Sequence, residues 1–113
     1  MKISIFGLGY VGAVSAGCLA SDGHEVIGVD PNQTKVDLIN EGKTPIIEKD
    51  IGEMIAKTVK DGLLRATTSV REAVDGSELS LICVGTPSQL NGNLDLSQVR
   101  KVCQKIGNAL RDK

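Results

Sequence analysis

Apolar residues near the start of the chain fall into short runs that glycines separate. Residues 2–6 are rich in β-branched side chains and end at a glycine, which predicts a strand. A helix of small residues over 14–19 follows and stops near Gly23, and residues 26–29 form a second apolar run that ends in Asp30-Pro31. The pattern therefore predicts a strand, a helix and a second strand, with a glycine-rich turn before the helix.

The rest of the chain continues the alternation of helices and strands. Polar residues suited to N-caps or capping boxes mark the helix starts: Asn32, Asp50 with Glu53, Ser69 with Glu72, and Asp95 with Gln98. Apolar residues at helical spacing follow three of these starts: Val36, Leu38 and Ile39; Ile51, Met54, Ile55 and Val59; Val99, Val102, Cys103 and Ile106. Gly42 and Gly62 are expected to end two of the helices. Residues 64–67 form a weak third strand, and 79–84 read as a strand that a parallel sheet buries on both faces.

Alternating strands and helices are typical of an α/β protein with a parallel sheet and right-handed crossovers. We expect a Rossmann-like sheet with helices on both faces. A complete doubly wound nucleotide-binding domain has about six strands, whereas four are predicted here. The 113 residues are therefore expected to form one incomplete domain, truncated before a fifth strand.

The strongest candidate for chemistry is the pattern Gly7-x-Gly9-x-x-Gly12, which we call the glycine loop (residues 7–12). Gly7 permits a tight turn, Gly9 lets a pyrophosphate approach the backbone, and Gly12 lets the helix pack closely on the strand. Asp30 follows at close to the expected separation of about 20 residues, where its carboxylate would accept hydrogen bonds from the adenosine ribose. It would repel the extra phosphate of NADP, so NAD is the expected cofactor.

Two further residues are weaker candidates for cofactor contacts. Lys35, one turn into the next helix, would lie beside the same ribose, and Thr86 follows the most apolar strand, where its hydroxyl and amide would reach the pyrophosphate. Each has a plainer alternative: a solvated helix face for Lys35 and an ordinary strand-ending turn for Thr86. For the loop itself, the alternative is that the glycines only shape turns and Asp30 only caps a helix.

Composition limits the possible partners. With 13 basic and 14 acidic residues the net charge is −1, which provides no general surface for nucleic acid or an anionic membrane. Cys18, Cys83 and Cys103 are widely spaced without a C-x-x-C pair, which argues against a disulfide framework and a zinc site and favours a reducing cytoplasm. The apolar start differs from a secretory signal because its glycines are regularly placed and a second strand follows. No long apolar span predicts a membrane helix.

Several separated motifs together resemble the UDP-glucose/GDP-mannose dehydrogenase family. They are Ile5-Phe-Gly-Leu-Gly-Tyr-Val-Gly12, Gly23-His-Glu-Val-Ile-Gly-Val-Asp30, Lys35, Gly42-Lys-Thr-Pro-Ile-Ile-Glu48 and Cys83-Val-Gly-Thr-Pro87. The resemblance places NAD contacts on Tyr10, Val11, Asp30, Lys35 and Thr86 in addition to the loop glycines. It implies a twofold oxidation at C6 of a nucleotide-sugar substrate by two NAD in turn. The catalytic cysteine would lie in a later part of such an enzyme, so no catalytic residue is expected here.

Within that family, several stretches favour the GDP-mannose branch, with the UDP-glucose branch as the alternative. They are Ala16-Gly-Cys-Leu19, Ser88, Asn91-Gly-Asn-Leu-Asp-Leu96 and Val102-Cys103. That branch supplies mannuronate for alginate-type polysaccharides, and we expect a homo-oligomer built from dimers. The three cysteines are expected to be small core residues rather than nucleophiles. A stand-alone nucleotide-binding module, or an inactive fragment that associates through an unpaired sheet edge, remains open as another interpretation.

Overall fold

A computed structural model describes residues 1–43, 49–83 and 97–111 of the chain. In chain order the elements are β1 (Lys2–Phe6), α1 (Tyr10–Ser21), β2 (Glu25–Val29), α2 (Gln33–Asn40), α3 (Lys49–Lys60), β3 (Leu64–Thr67), α4 (Val70–Asp75), β4 (Leu79–Ile82) and α5 (Ser97–Arg111). The predicted alternation of strands and helices is confirmed. Asp95 and Val84, predicted at the ends of the last helix and of β4, lie outside the described residues.

The four strands form one parallel sheet in the order β3-β2-β1-β4. After β3 the chain crosses to the other side of β1, so the strand order reverses between β1 and β4. In open α/β sheets, ligands bind at such a point, outside the carboxyl ends of the strands. The topology thus identifies this edge of the sheet as the place to look for a site.

Helices cover both faces of the sheet, as predicted. On the first face, α1, α2 and α3 enclose a core that includes Ile5, Leu8, Ile39 and Ile55, none of which is exposed. On the second face, α4 and α5 pack on Phe6, with further apolar residues of β2. The alternation along each strand decides which core a residue enters, because successive side chains point to opposite faces.

The predicted caps of two helices are confirmed. The side chain of Asn32 accepts hydrogen bonds from the first-turn amides of α2, and that helix ends before Gly42, which has a φ of +78°. Ser69 accepts a hydrogen bond from the amide of Glu72 at the start of α4. The prediction that the Glu72 side chain completes a capping box with the Ser69 amide is wrong, because its carboxylate instead binds Arg65 and Thr67 on β3.

Asn40 stabilises the outer edge of β3, which sequence reasoning missed. Its side-chain amide donates to the carbonyl of Ala66 at 3.0 Å, and its oxygen accepts from the Ala66 amide at 2.9 Å. Both backbone groups point away from β2 and would otherwise face solvent at the edge of the sheet. The side chain of Asn40 therefore replaces part of a neighbouring strand.

Three expectations about burial and capping were wrong. Helix α3 begins at Lys49, so Asp50 lies within its first turn, where a negative charge is favourable, rather than at its N-cap. Cys18 and Cys103 are exposed. Cys18 lies on the side of α1 opposite its buried residues, and Cys103 lies on the flank of the apolar stripe of α5. Strand β4 is only partly buried because, among the described residues, it pairs with β1 alone.

None of the helices in the described part of the chain is both long and apolar enough to cross a membrane.

Candidate functional site

The glycine loop follows β1 at the carboxyl edge of the sheet. Gly7 has a φ of +102°, in the region where residues with a side chain are strained, and its amide donates to the Val29 carbonyl at 2.7 Å. The turn predicted at Gly7 is therefore present, and it joins the ends of β1 and β2. Gly9 is the N-cap of α1, with no side-chain hydrogen bond to the first turn of the helix.

Gly12, in the first turn of α1, lies against the backbone of Gly7. A Cβ atom at this position would lie 1.7 Å from the Gly7 carbonyl oxygen and 3.6 Å from the Cβ of Cys83. The first contact is with backbone and leaves no room for any side chain. Gly12 thus permits the close approach of helix and strand that its position in the motif predicts.

Gly9 is different, because the space above it is open. A Cβ atom there would have no heavy atom of the described residues within 4 Å, and its φ of −76° is accessible to any residue. The protein's own packing therefore does not require a glycine at this position. A requirement would come from a ligand that lies against the backbone, at the end of a helix whose amides and dipole favour an anion.

The Asp30 carboxylate connects the glycine loop to the end of β2. One oxygen (Oδ2) accepts a hydrogen bond from the Leu8 amide at 2.8 Å, and the other (Oδ1) accepts from the Asn32 amide at 2.9 Å. Asp30 is 7% exposed. An ionised carboxylate has about four acceptor positions, and these two hydrogen bonds from described residues use one on each oxygen. Helix α2 is capped by the side chain of Asn32, which argues against capping as the only role of Asp30.

The remaining predicted contacts surround this edge to different extents. Tyr10 and Val11 begin α1, and each is 62% exposed. Lys35 lies in the first turn of α2 and is partly buried. The structure therefore brings Leu8 of the glycine loop into direct contact with Asp30, and Tyr10 and Val11 belong to the same loop. Thr86 lies outside the described residues.

Two residues of the site were missed from the sequence. Leu8, between the first two loop glycines, is fully buried, and its side chain lies over Gly28 in β2. A glycine inside a strand often marks a close approach of another group, and Gly28 interrupts an otherwise β-branched run. That signal was available, but the partner of Gly28 was not.

Cys83 lies beside the glycine loop, close to Gly12. Burial raises the pKa of the Cys83 thiol, which favours its protonated and unreactive form. Among residues 1–43, 49–83 and 97–111, no group of three His, Cys, Asp or Glu side chains is placed to hold a metal ion. What this arrangement offers is recognition: backbone amides for an anion and a carboxylate for hydroxyl groups.

The chain is similar in sequence to nucleotide-sugar dehydrogenases over nearly its whole length. The family described as "UDP-glucose/GDP-mannose dehydrogenase family, NAD binding domain" matches residues 1–113. GDP-mannose 6-dehydrogenase of Azotobacter vinelandii is 61% identical over 113 residues, which are 100% of this chain and 26% of that protein. UDP-glucose 6-dehydrogenase of Rhizobium meliloti is 39% identical over 107 residues, 94% of this chain and 24% of that protein.

A solved structure agrees with the sequence comparison. The crystal structure of a ternary complex of GDP-mannose dehydrogenase from Pseudomonas aeruginosa superposes with a TM-score of 0.98 at 56% identity, covering 100% of this chain and 26% of that one. The chain thus spans about a quarter of the length of the relatives it matches.

Proposed function

Because this chain belongs to the UDP-glucose/GDP-mannose dehydrogenase family as its NAD binding domain, we propose that the glycine loop and Asp30 hold the adenosine diphosphate part of NAD. The observation that carries the proposal is the open space at Gly9, where an added Cβ would meet no atom of the described residues within 4 Å. That space lies next to the buried Asp30 carboxylate, which accepts one hydrogen bond at each oxygen from the described residues. A pyrophosphate and a ribose are neighbours in NAD and need these two kinds of partner.

Each residue has a distinct part in the proposed complex. Gly7 and Gly12 shape the loop, Gly9 leaves space for the pyrophosphate, and the α1 backbone at Tyr10 and Val11 faces it. Asp30 binds the ribose hydroxyls and disfavours the 2′-phosphate of NADP. Lys35 lies beside the ribose and Thr86 contacts the pyrophosphate, as the family resemblance implies. NAD would supply the hydride acceptor, and these residues would bind and orient it.

The proposed reaction of the whole protein is the oxidation of GDP-mannose to GDP-mannuronate. Converting a primary alcohol to a carboxylate removes two hydride equivalents and adds one water, so two NAD are reduced for each sugar. The preference for GDP-mannose over UDP-glucose is supported by identities of 61% and 39% to the respective dehydrogenases. Mannuronate from this reaction would serve alginate-type polysaccharides.

The setting of the enzyme is also part of the proposal. Three free cysteines suit a reducing compartment such as the cytoplasm. We propose a homo-oligomer built from dimers, which light scattering on the purified protein tests directly.

The decisive experiment uses Gly9→Ala. The free protein has room for this methyl group, but alanine is less favourable than glycine at the N-cap of a helix, so the unfolding free energy should fall by no more than about 1 kcal/mol. The methyl group would occupy the space of the pyrophosphate, so NAD affinity should fall on the order of tenfold or more. Gly107→Ala within α5 is the control for NAD affinity, because a Cβ at Gly107 also meets no atom of the described residues within 4 Å.

Isothermal titration with NAD and NADP measures both variants. NADH absorbance with GDP-mannose or UDP-glucose measures turnover by an enzyme that also contains the later, catalytic part of the family's chain. Equal NAD affinity in Gly9→Ala and the parent protein would contradict the proposed cofactor site. Turnover of UDP-glucose but not GDP-mannose would contradict the proposed substrate alone.

A further inference from the structure

Gly28 occupies the centre of the sheet, where a side chain would normally fill the core. It pairs with Ile5 of β1 on one side and with Ala66 of β3 on the other. Its Cα faces the first core, as Val26 does two residues earlier in the same strand. Gly28 and Ala66 together leave a hollow on that face of the sheet.

The side chain of Leu8 fills the hollow. A Cβ atom at Gly28 would lie 2.7 Å from Cδ2 of Leu8, 3.3 Å from its Cδ1 and 3.5 Å from its Cγ. Leu8 is fully buried, with an exposed fraction of 0%. Surrounding core atoms therefore restrict rotation of its side chain away from a new methyl group.

The backbone of Leu8 is held by the same strand end. Its amide donates to Asp30 at 2.8 Å, and Asp30 lies two residues after Gly28. Leu8 is thus attached to the end of β2 twice, by its side chain above Gly28 and by its amide. It also lies between Gly7 and Gly9, so a shift of Leu8 moves the backbone on which the anion would rest.

We propose that Gly28 is a positioning residue for the cofactor loop: by lacking a side chain, it seats Leu8 and so sets the height of the glycine loop above the sheet. The inference rests on the proposed function, since it concerns the same NAD site. Gly28 would touch no part of the cofactor. Its influence would pass entirely through Leu8, which distinguishes it from the three glycines of the loop.

The test compares three variants of the purified protein by NAD titration. Gly28→Ala should weaken NAD binding on the order of tenfold, because preorganised binding groups lose affinity when displaced by a fraction of an ångström to an ångström. The double variant Gly28→Ala/Leu8→Ala removes the atoms that the new methyl group meets. It should bind NAD more tightly than Gly28→Ala alone, a recovery that general damage to the core would not produce.

Gly76→Ala is the matched control. A Cβ there would lie 3.0 Å from Ile27, the neighbour of Gly28 in β2, but on the opposite face of the sheet. It disturbs the same strand without touching Leu8 and should leave NAD affinity within about twofold of the parent. Hydrogen exchange of the Leu8 amide gives a second measurement, expected to accelerate in Gly28→Ala and to stay unchanged in Gly76→Ala.

The outcomes separate the two proposals. If the parent protein does not bind NAD, the proposed function fails and this inference fails with it. If the parent binds NAD and Gly28→Ala binds it equally, or the double variant shows no recovery, only the role of Gly28 is overturned. If Gly28→Ala does not fold, the double variant decides: recovery of folding with near-parent NAD affinity supports the seating of Leu8, and failure to fold overturns it.

Discussion

Replacing Asp30 with alanine should affect both the free protein and its cofactor preference. In the free protein the change leaves the buried Leu8 amide without its acceptor. An unsatisfied buried amide costs about 1–3 kcal/mol, so the unfolding free energy should fall by about that amount. The Asn32 amide lies in a part-buried position, where water replaces the lost carboxylate more easily.

The effect of Asp30→Ala on binding follows from the ribose contacts proposed for this carboxylate. A hydrogen bond to a charged group contributes about 1.5–3 kcal/mol, and about 1.4 kcal/mol corresponds to a tenfold change in affinity. Loss of the ribose contacts should therefore weaken NAD binding about ten- to a hundredfold. NADP should lose less, because the repulsion between the carboxylate and its 2′-phosphate disappears with the charge.

Isothermal titration with the two cofactors and urea unfolding of the free protein test these expectations together. Asp37→Ala is the matched control, since it removes the same charge from an exposed position on α2, where Asp37 accepts a hydrogen bond from Gln33. It should change neither measurement by more than about 0.5 kcal/mol. An unchanged ratio of NAD to NADP affinity in Asp30→Ala would refute the assignment of Asp30 to the ribose.

Two further predictions concern stability. Asn40→Ala should lower the unfolding free energy by about 1–2 kcal/mol, because the edge of β3 loses both hydrogen bonds to Ala66. Gln33→Ala on the exposed face of α2 is the control and should change it by less than about 0.5 kcal/mol. Equal urea midpoints for Asn40→Ala and the parent protein would contradict the role of Asn40. The pKa of Glu72 is lowered from its ordinary value of 4.5, chiefly by the hydrogen bond from Arg65, so its stabilising contribution is present above that value and is lost as the pH falls through the folded-state pKa. Both side chains are about half exposed, so the contribution should be below about 1 kcal/mol. Between neutral pH and about pH 3, the unfolding free energy measured with urea should fall less in Glu72→Gln than in the parent protein. An identical fall in both proteins would count against the interaction of Glu72 with Arg65.

Local patterns in the sequence determined most of the fold and the outline of the site. Glycine spacing, the β-branched runs and the cap residue Asn32 act over a few residues, because turns, caps and strand alternation depend on neighbours along the chain. For the same reason Asp30, at the end of an apolar run, could be predicted as a candidate ribose-binding residue. The parallel sheet followed from the alternation of strands and helices, as confirmed by the order β3-β2-β1-β4.

Only the tertiary structure decided which distant groups meet. The hydrogen bond from Leu8 to Asp30 joins residues 22 positions apart, and the pairing of Asn40 with Ala66 joins residues 26 apart. Sequence spacing tells which side of an element a residue occupies, but not what lies against that side. The exposure of Cys18 shows the same limit, since an apolar helix does not reveal from its composition which face is covered. The motif located the glycine loop, whereas only the packing across the sheet showed that Leu8 of this loop lies over Gly28.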